Sequence, residues 1–236
     1  MARLLLLSLF LITGAVYSVV SGKLTLMAAI SGVLLASSVY GCAGFTGIAM
    51  MAFFFLAGTA ATSWKLKWKR QQGLAESIKG TRTAGQVMAN AGVPAIAGLT
   101  GLVFPAVLGV MSFLIAAAFA SATADTLSSE LGNIYGKRYY NILGFSKDQR
   151  GLNGVVSLEG TLCGLTGSIL IACIYAVGFG WDREVVIIIL AGTIGNMADS
   201  LLGATLERKG WIGNNTVNFL NTAIAALCAY LLARLR

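Results

Sequence analysis

Eight apolar stretches, each long enough to cross a bilayer, follow one another along the 236 residues: roughly 3–20, 24–41, 45–62, 86–103, 106–125, 154–179, 184–205 and 216–234. A membrane-spanning helix needs about 20 mostly apolar residues. The chain therefore reads as all-α, a polytopic transmembrane helical bundle. The fourth and fifth stretches are separated only by Phe104-Pro105, so they form either two full spans or a re-entrant pair. With 11% charged residues and a mean hydropathy of +0.80, the chain is not an ordinary soluble globule, which carries about 25% charged residues. The whole of 1–236 is expected to be a single integral membrane domain, with three N-terminal spans (1–63) ahead of a core over 80–222.

The small residues fit this reading. There are 29 glycines and 2 prolines, and small residues let membrane helices approach closely. Gly160, Gly164 and Gly167, and likewise Gly41, Gly44 and Gly47, read as packing positions. The four cysteines show no metal-ligand spacing and read as small hydrophobes. With no histidine, phosphohistidine, His-metal and Ser-His chemistry are excluded. The leucine run after Arg3 continues towards Val20 without a small-x-small cleavage site, so it reads as an uncleaved first span.

Eight spans sort the loops onto two ends. One end collects Lys23; Lys65, Lys67, Lys69, Arg70, Lys79 and Arg82; Lys137, Arg138, Lys147 and Arg150; and Arg208 and Lys209. The other holds Arg3, Arg183, Arg234 and Arg236. Because Lys and Arg concentrate in cytoplasmic loops, the first end is expected to face the cytoplasm, with both termini outside. The net charge of +8 then follows from topology and does not call for nucleic acid. Lys65, Lys67, Lys69 and Arg70, which follow Trp64 and Trp68, read as membrane-surface anchors. On this placement the Asn214-Asn215-Thr216 glycosylation sequon is a chance match.

The chemistry-bearing residues gather on the basic end. Ala124-Asp125-Thr126-Leu127 is echoed by Ala198-Asp199-Ser200-Leu201, each at the close of an apolar stretch. A carboxylate there is costly unless paired, solvated or bound to metal. A basic loop follows each phrase, and then an amide-rich helix start, Asn153-Gly154 or Asn214-Asn215. This suggests a same-direction two-helix repeat, with ligands at the repeat interface; chance similarity of small polar helix ends is the alternative. Helical spacing puts Ser121, Asp125 and Ser128 on one face, and Asn196, Asp199 and Gly203 on another. Arg82, Gln86 and Asn90 form a stripe, as do Asn214, Asn218 and Asn221. Glu130, five residues past Asp125, either follows a helix end or serves a different partner. Two hard carboxylates, several amides and nearby cations match phosphoryl transfer, in which Mg²⁺ is held by one or two carboxylates plus phosphate oxygens.

The runs "RTAGQVMANAGVPA", "ADTLSSELGNIYGKRYY", "RGLNGVVSLEGTLCGLTGS", "GNMADSLLGATLE" and "NNTVNFL" resemble the membrane family that contains the phytyl-phosphate kinases of plants and cyanobacteria, over about residues 80–222. The resemblance implies an enzyme of a prokaryotic cytoplasmic or thylakoid-like membrane. Such an enzyme phosphorylates an isoprenoid monophosphate to the diphosphate, with Mg²⁺ and a nucleoside triphosphate. CTP is the donor suggested by related lipid kinases. Asp125, Glu130 and Asp199 are the expected catalytic and metal carboxylates. Arg82, Gln86, Asn90, Lys137, Arg138, Arg150, Asn153, Ser157, Glu159, Asn215 and Asn218 are the expected phosphate and nucleotide contacts. The chain departs from the plant members at Leu152-Asn153, where they carry a Thr-Glu pair, which leaves the role of the Asn153 side chain open. A phosphomonoester is already a dianion near neutrality, its second pKa being about 6, and needs no general base. The expected partners are an isoprenoid phosphate, a nucleotide and membrane lipid, without nucleic acid. The alternatives are a lipid cytidylyltransferase, a polyprenol kinase or, in another class, a cation-coupled transporter.

Overall fold

The computed structural model describes residues 1–75 and 80–235; Lys79 and Arg236, counted above among the loop and terminal cations, lie outside them. Among the described residues seven helices are long and apolar enough to cross a membrane. They are α1 (Ala2–Val20), α2 (Leu26–Ser63), α4 (Ala84–Val103), α5 (Leu108–Tyr135), α6 (Leu158–Phe179), α7 (Arg183–Leu202) and α8 (Asn214–Arg234). A short α3 (Leu66–Gln71) and a two-stranded ribbon, β1 (Tyr140–Asn141) with β2 (Val155–Val156), sit between them.

The second and third expected spans are the two halves of α2. At 38 residues a straight helix would far exceed a bilayer, at about 1.5 Å per residue. It is broken at Gly44, whose φ of 58° and ψ of −148° are non-helical. The two arms fold back so that Lys23, just before α2, donates from Nζ to Oγ of Ser63 at its end, 3.0 Å away. Eight membrane-length segments therefore result. Thr83 and Gln86 open α4 with a capping box. Phe104 ends it, and a single 3₁₀ turn from Pro105 to Val107 leads directly into α5, so 86–125 holds two full spans.

Two boundaries differ from expectation. The fifth span does not stop near Asp125 but runs on to Tyr135, because 126–135 contains no proline and stays packed against its neighbours. The sixth starts at Leu158 rather than 154. Residues before it pair in the ribbon, and Ser157 caps the helix by accepting from the Gly160 amide.

The loops do sort onto two ends. The Arg82 amide donates to the Lys23 carbonyl (2.9 Å) and the Thr25 amide to the Arg82 carbonyl (3.1 Å), while Arg208 Nε donates to the Asn153 carbonyl (2.6 Å). At the far end, Arg183 donates to the carbonyls of Leu232 and Leu235. Helix α5 is the axis, packed against α2, α4, α6, α7 and α8. Its run Ile115–Ala120 has no exposed surface. Alanines dominate the run, so close helix approach supplies dispersion contacts in place of a hydrophobic driving force that lipid does not offer. Gly160, Gly164 and Gly167 seat α6 on α5, as their packing role required.

Gly44 has open space around its missing Cβ, so only its backbone angles demand glycine. Gly44→Ala is expected to cost about 1–3 kcal/mol through strain at an angle pair that L-residues avoid. A lowered unfolding midpoint in detergent, with helix content unchanged before the transition, is the check.

Candidate active site

A polar cavity of about 330 Å³ lies at the basic end, between α4, α5, α7 and α8 and bordered by residues 73–75, 80–82 and 151–157. Helical spacing builds its walls. Arg82, Gln86 and Asn90 line it from the α4 side, and Asp125, Ser128, Ser129, Glu130 and Asn133 from α5. From α7 and its extension come Asn196, Asp199, Ser200, Gly203 and Glu207, and from α8 Asn214 and Asn218. The loop contributes Asn153, Gly154 and Ser157. The two Asp phrases thus border one cavity.

The carboxylates have distinct surroundings. Asp199 accepts from Nδ2 of Asn221 at 2.7 Å, and Ser121 donates in turn to Oδ1 of Asn221 at 3.1 Å. Glu130 is engaged elsewhere: Lys69, with 1% of its side chain exposed, donates to the Glu130 carboxylate. Lys69 also donates to the carbonyls of Ala61 (3.0 Å) and Thr62 (2.8 Å). These carbonyls belong to the last turn of α2, which carries the negative end of the helix dipole; that of Ala61 also accepts from the Trp64 amide (3.2 Å). Lys69 is therefore not the surface anchor expected of it, although Lys65, Lys67 and Arg70 are exposed. Glu130 serves a different partner on an unbroken helix.

The expected three-carboxylate metal set needs the same correction. Among the described residues no three Asp, Glu, Cys or His side chains come together around one point. Glu130 is drawn towards α3, leaving Asp125 and Asp199 as the carboxylates suited to a cation. Two carboxylates with phosphate oxygens are a sufficient Mg²⁺ set. Asn90 adds a hard oxygen: its Oδ1 is buried without a hydrogen-bond partner, while its Nδ2 donates to the Gln86 carbonyl. The donor chemistry fits Mg²⁺.

Several expected phosphate contacts lie elsewhere. Lys137 and Arg138 are exposed and outside the cavity's described lining. Arg150 stacks over Trp68 (5.1 Å) and Tyr139 (5.9 Å). Glu159 accepts from the Lys137 amide (3.3 Å), and Asn215 packs against Gly85 of α4. Arg82 is the cation among the described lining residues, its guanidinium over the rings of Phe54 (5.2 Å) and Phe55 (5.9 Å). Gln86 accepts from the Thr83 amide in the capping box (2.9 Å), so part of its side chain is committed to starting α4.

Asn133, Glu207 and Lys69 escaped the sequence reading. Nothing in local spacing marks Lys69, since its partner is 61 residues away. Glu207 lines the cavity because α7 continues through a π turn, Gly203–Glu207, a widening frequent at functional sites. The loop backbone presses on this turn, since a Cβ on Gly154 (φ 73°) would overlap Ala204. Arg208 then clamps the loop, reaching the Asn153 carbonyl and Asp148 Oδ2 (2.8 Å).

A family model described as "Integral membrane protein DUF92" matches residues 9–226. The chain belongs to the DUF92 family of integral membrane proteins. It is 34% identical over 205 residues to Protein VTE6, chloroplastic, of Arabidopsis thaliana, covering 82% of this chain and 59% of that protein. The chain thus spans about three-fifths of that relative. It is 33% identical to an uncharacterised membrane protein of Methanocaldococcus jannaschii, over 80% of this chain and 77% of the relative. An uncharacterised membrane protein of Synechocystis is 31% identical, over 81% and 75%. No solved structure matches. The plant and cyanobacterial family recognised from the motifs is thereby shown.

Lys69→Met leaves Glu130 and two carbonyls without their cation, an expected loss of about 3–5 kcal/mol. Changing Glu130 to Met as well should restore most of it, since a buried pair is often replaceable by apolar side chains. A double-mutant cycle on unfolding midpoints checks this.

Arg208, the Gln149 amide and Asn141 hold the Asp148 carboxyl well below its usual 3.8, at about 2. Because the folded value is depressed, the loop tie is fully present above about pH 3.8 and is lost as pH falls towards 2. Protection of the amides in 140–155, measured against the intrinsic exchange rate at each pH, should therefore match between pH 5 and 8, and Asp148→Asn should lower it at both.

Proposed function

We propose that this protein is a membrane kinase that transfers the terminal phosphoryl group of a nucleoside triphosphate, with CTP the favoured donor, to an isoprenoid monophosphate of the phytyl-phosphate type. The observation that carries the reading is that Asp125 and Asp199, from two different helices, line one polar cavity together with Arg82. This cavity belongs to a chain whose motifs resemble the phytyl-phosphate kinases. A phosphate oxygen of the acceptor forms a bond to the terminal phosphorus. The bond from that phosphorus to its bridging oxygen breaks, and the nucleoside diphosphate leaves with the electron pair. Asp125 and Asp199 would hold Mg²⁺, which when bound supplies charge neutralisation to the phosphate oxygens. Arg82 would pair with phosphate. Asn218, buried, and Asn214, at the mouth, would orient polar groups of the two substrates.

The basic end is assigned to the cytoplasm, where nucleotide and Mg²⁺ are available, and the isoprenoid tail to the bilayer. Below the cavity, α5 is closed by the unexposed run Ile115–Ala120. That favours an enzyme over a cation-coupled transporter, which needs a polar route through both halves.

Purified protein incubated with Mg²⁺, each of the four nucleoside triphosphates and short prenyl monophosphates should yield prenyl diphosphate by mass spectrometry. Release of pyrophosphate would instead indicate a cytidylyltransferase, and phosphorylation of free prenol an alcohol kinase. Asp125→Asn and Asp199→Asn should each lower turnover by more than the ~10–100-fold that loss of a supporting partner costs at metal sites. The double variant should be scarcely worse than the worse single one, because groups acting as a unit fail together. Additive losses, or full turnover in either single variant, would remove the shared-site reading.

A further inference from the structure

Asn221 and Ser121, which form a hydrogen-bond chain ending on Asp199, have no part in the phosphoryl transfer described above. Asn221, fully buried, donates from Nδ2 to Oδ2 of Asp199 at 2.7 Å. On its other side, the Ser121 hydroxyl donates to its Oδ1 (3.1 Å) and approaches its backbone carbonyl (3.4 Å). Ser121 has no exposed surface and lies one helical turn before Asp125 on α5. The chain therefore runs from the helix carrying one carboxylate, through α8, to the carboxylate on α7.

The order of the groups matters. Because an ionised carboxylate only accepts, the amide nitrogen faces Asp199 and the amide oxygen takes the Ser121 hydroxyl proton. An N–H aimed at one oxygen fixes the carboxylate's rotamer and keeps it an acceptor. Partners of this kind orient cation ligands and tune affinity without touching the ion. A second feature of the same cavity calls for a cation or its water: Asn90, more than nine-tenths buried, has an Oδ1 with no donor. Buried oxygens of this kind are costly unless something satisfies them.

We propose that Asn221, set by Ser121, is a positioning residue that presents Asp199 to a divalent cation in the cavity. The proposal rests on the reading of Asp199 as a cation carboxylate, but not on the identity of the lipid or the nucleotide. The competing role, interhelical adhesion by buried polar side chains, predicts a change in stability and none in cation affinity.

The test is a Mn²⁺ titration of the whole protein in detergent followed by electron paramagnetic resonance, with the metal alone and with inorganic pyrophosphate. Wild-type protein should bind Mn²⁺ in at least one condition, with Mg²⁺ competing. Asn221→Leu should bind it ~10–100-fold more weakly, with elution volume and helical circular dichroism unchanged. Absence of Mn²⁺ binding by the wild type, or wild-type affinity in a folded Asn221→Leu protein, overturns the proposal. If Asn221→Leu does not fold, Ser121→Ala decides: weakened binding supports the proposal, and wild-type affinity overturns it. Normal Mn²⁺ behaviour without any prenyl diphosphate would sink the kinase reading and leave this one standing.

Discussion

A carboxylate among apolar helices must have a partner, and the basic half of this bundle is arranged around that requirement. Water is scarce there, and an unpaired charge near lipid costs several kcal/mol. Glu130 is met by Lys69, which also closes the last turn of α2. Asp199 is met by Asn221, itself held by Ser121. Lys69–Glu130 and Ser121–Asn221 join segments 61 and 100 residues apart in the chain, while Asn221–Asp199 ties the consecutive α8 and α7, so the polar residues around the cavity also determine how its walls approach one another. The far half has a different solution, with α5 packed through its alanines, Phe113 and Phe119 against buried neighbours such as Tyr175 of α6.

Three cations on the basic end are spent on construction. Lys69 ties α3 to α5, Arg150 lies on Trp68 and Tyr139, and Arg208 fastens the loop that bears Asn153. Trp64 adds a bond from Nε1 to the Tyr135 hydroxyl (2.8 Å), fixing the end of α5 against the start of α3. Arg82 differs in position. It sits where the chain between α1 and α2 meets the start of α4, and its guanidinium reaches the cavity across two phenylalanine rings. Among the described lining residues, one cation facing several carboxylates makes the cavity acidic in balance. That suits a cation–phosphate ligand better than a bare anion.

The repeated Asp phrase carries a lesson about local similarity. Asp125 and Asp199 border the same cavity, yet their helices end differently: α5 continues for ten residues beyond Asp125, whereas α7 widens into a π turn at Gly203. The amide-rich starts diverge too. Asn214 opens α8, while Asn153 lies in the loop before Ser157 caps α6. The likeness is in the wall positions and not in the helix ends.

Length and period of the apolar runs were enough to determine the spans, their order and the two-ended sorting of the loops, because a bilayer permits few solutions to backbone hydrogen bonding. The pairs 86–90 and 214–218 were legible for the same reason: 3.6 residues per turn assigns a face without knowledge of the neighbour, whereas Arg82, expected on the same stripe, lies before α4 in a bridge to Leu24. Sequence alone could not say which cation meets which carboxylate. Lys69 read as an anchor beside Trp68 until the fold brought it to Glu130, and Lys137, Arg138 and Arg150 read as phosphate contacts until the loop carried them aside. Pairing depends on distances between helices and on the path of loops, which are set by close packing around α5. A local pattern carries no information about either.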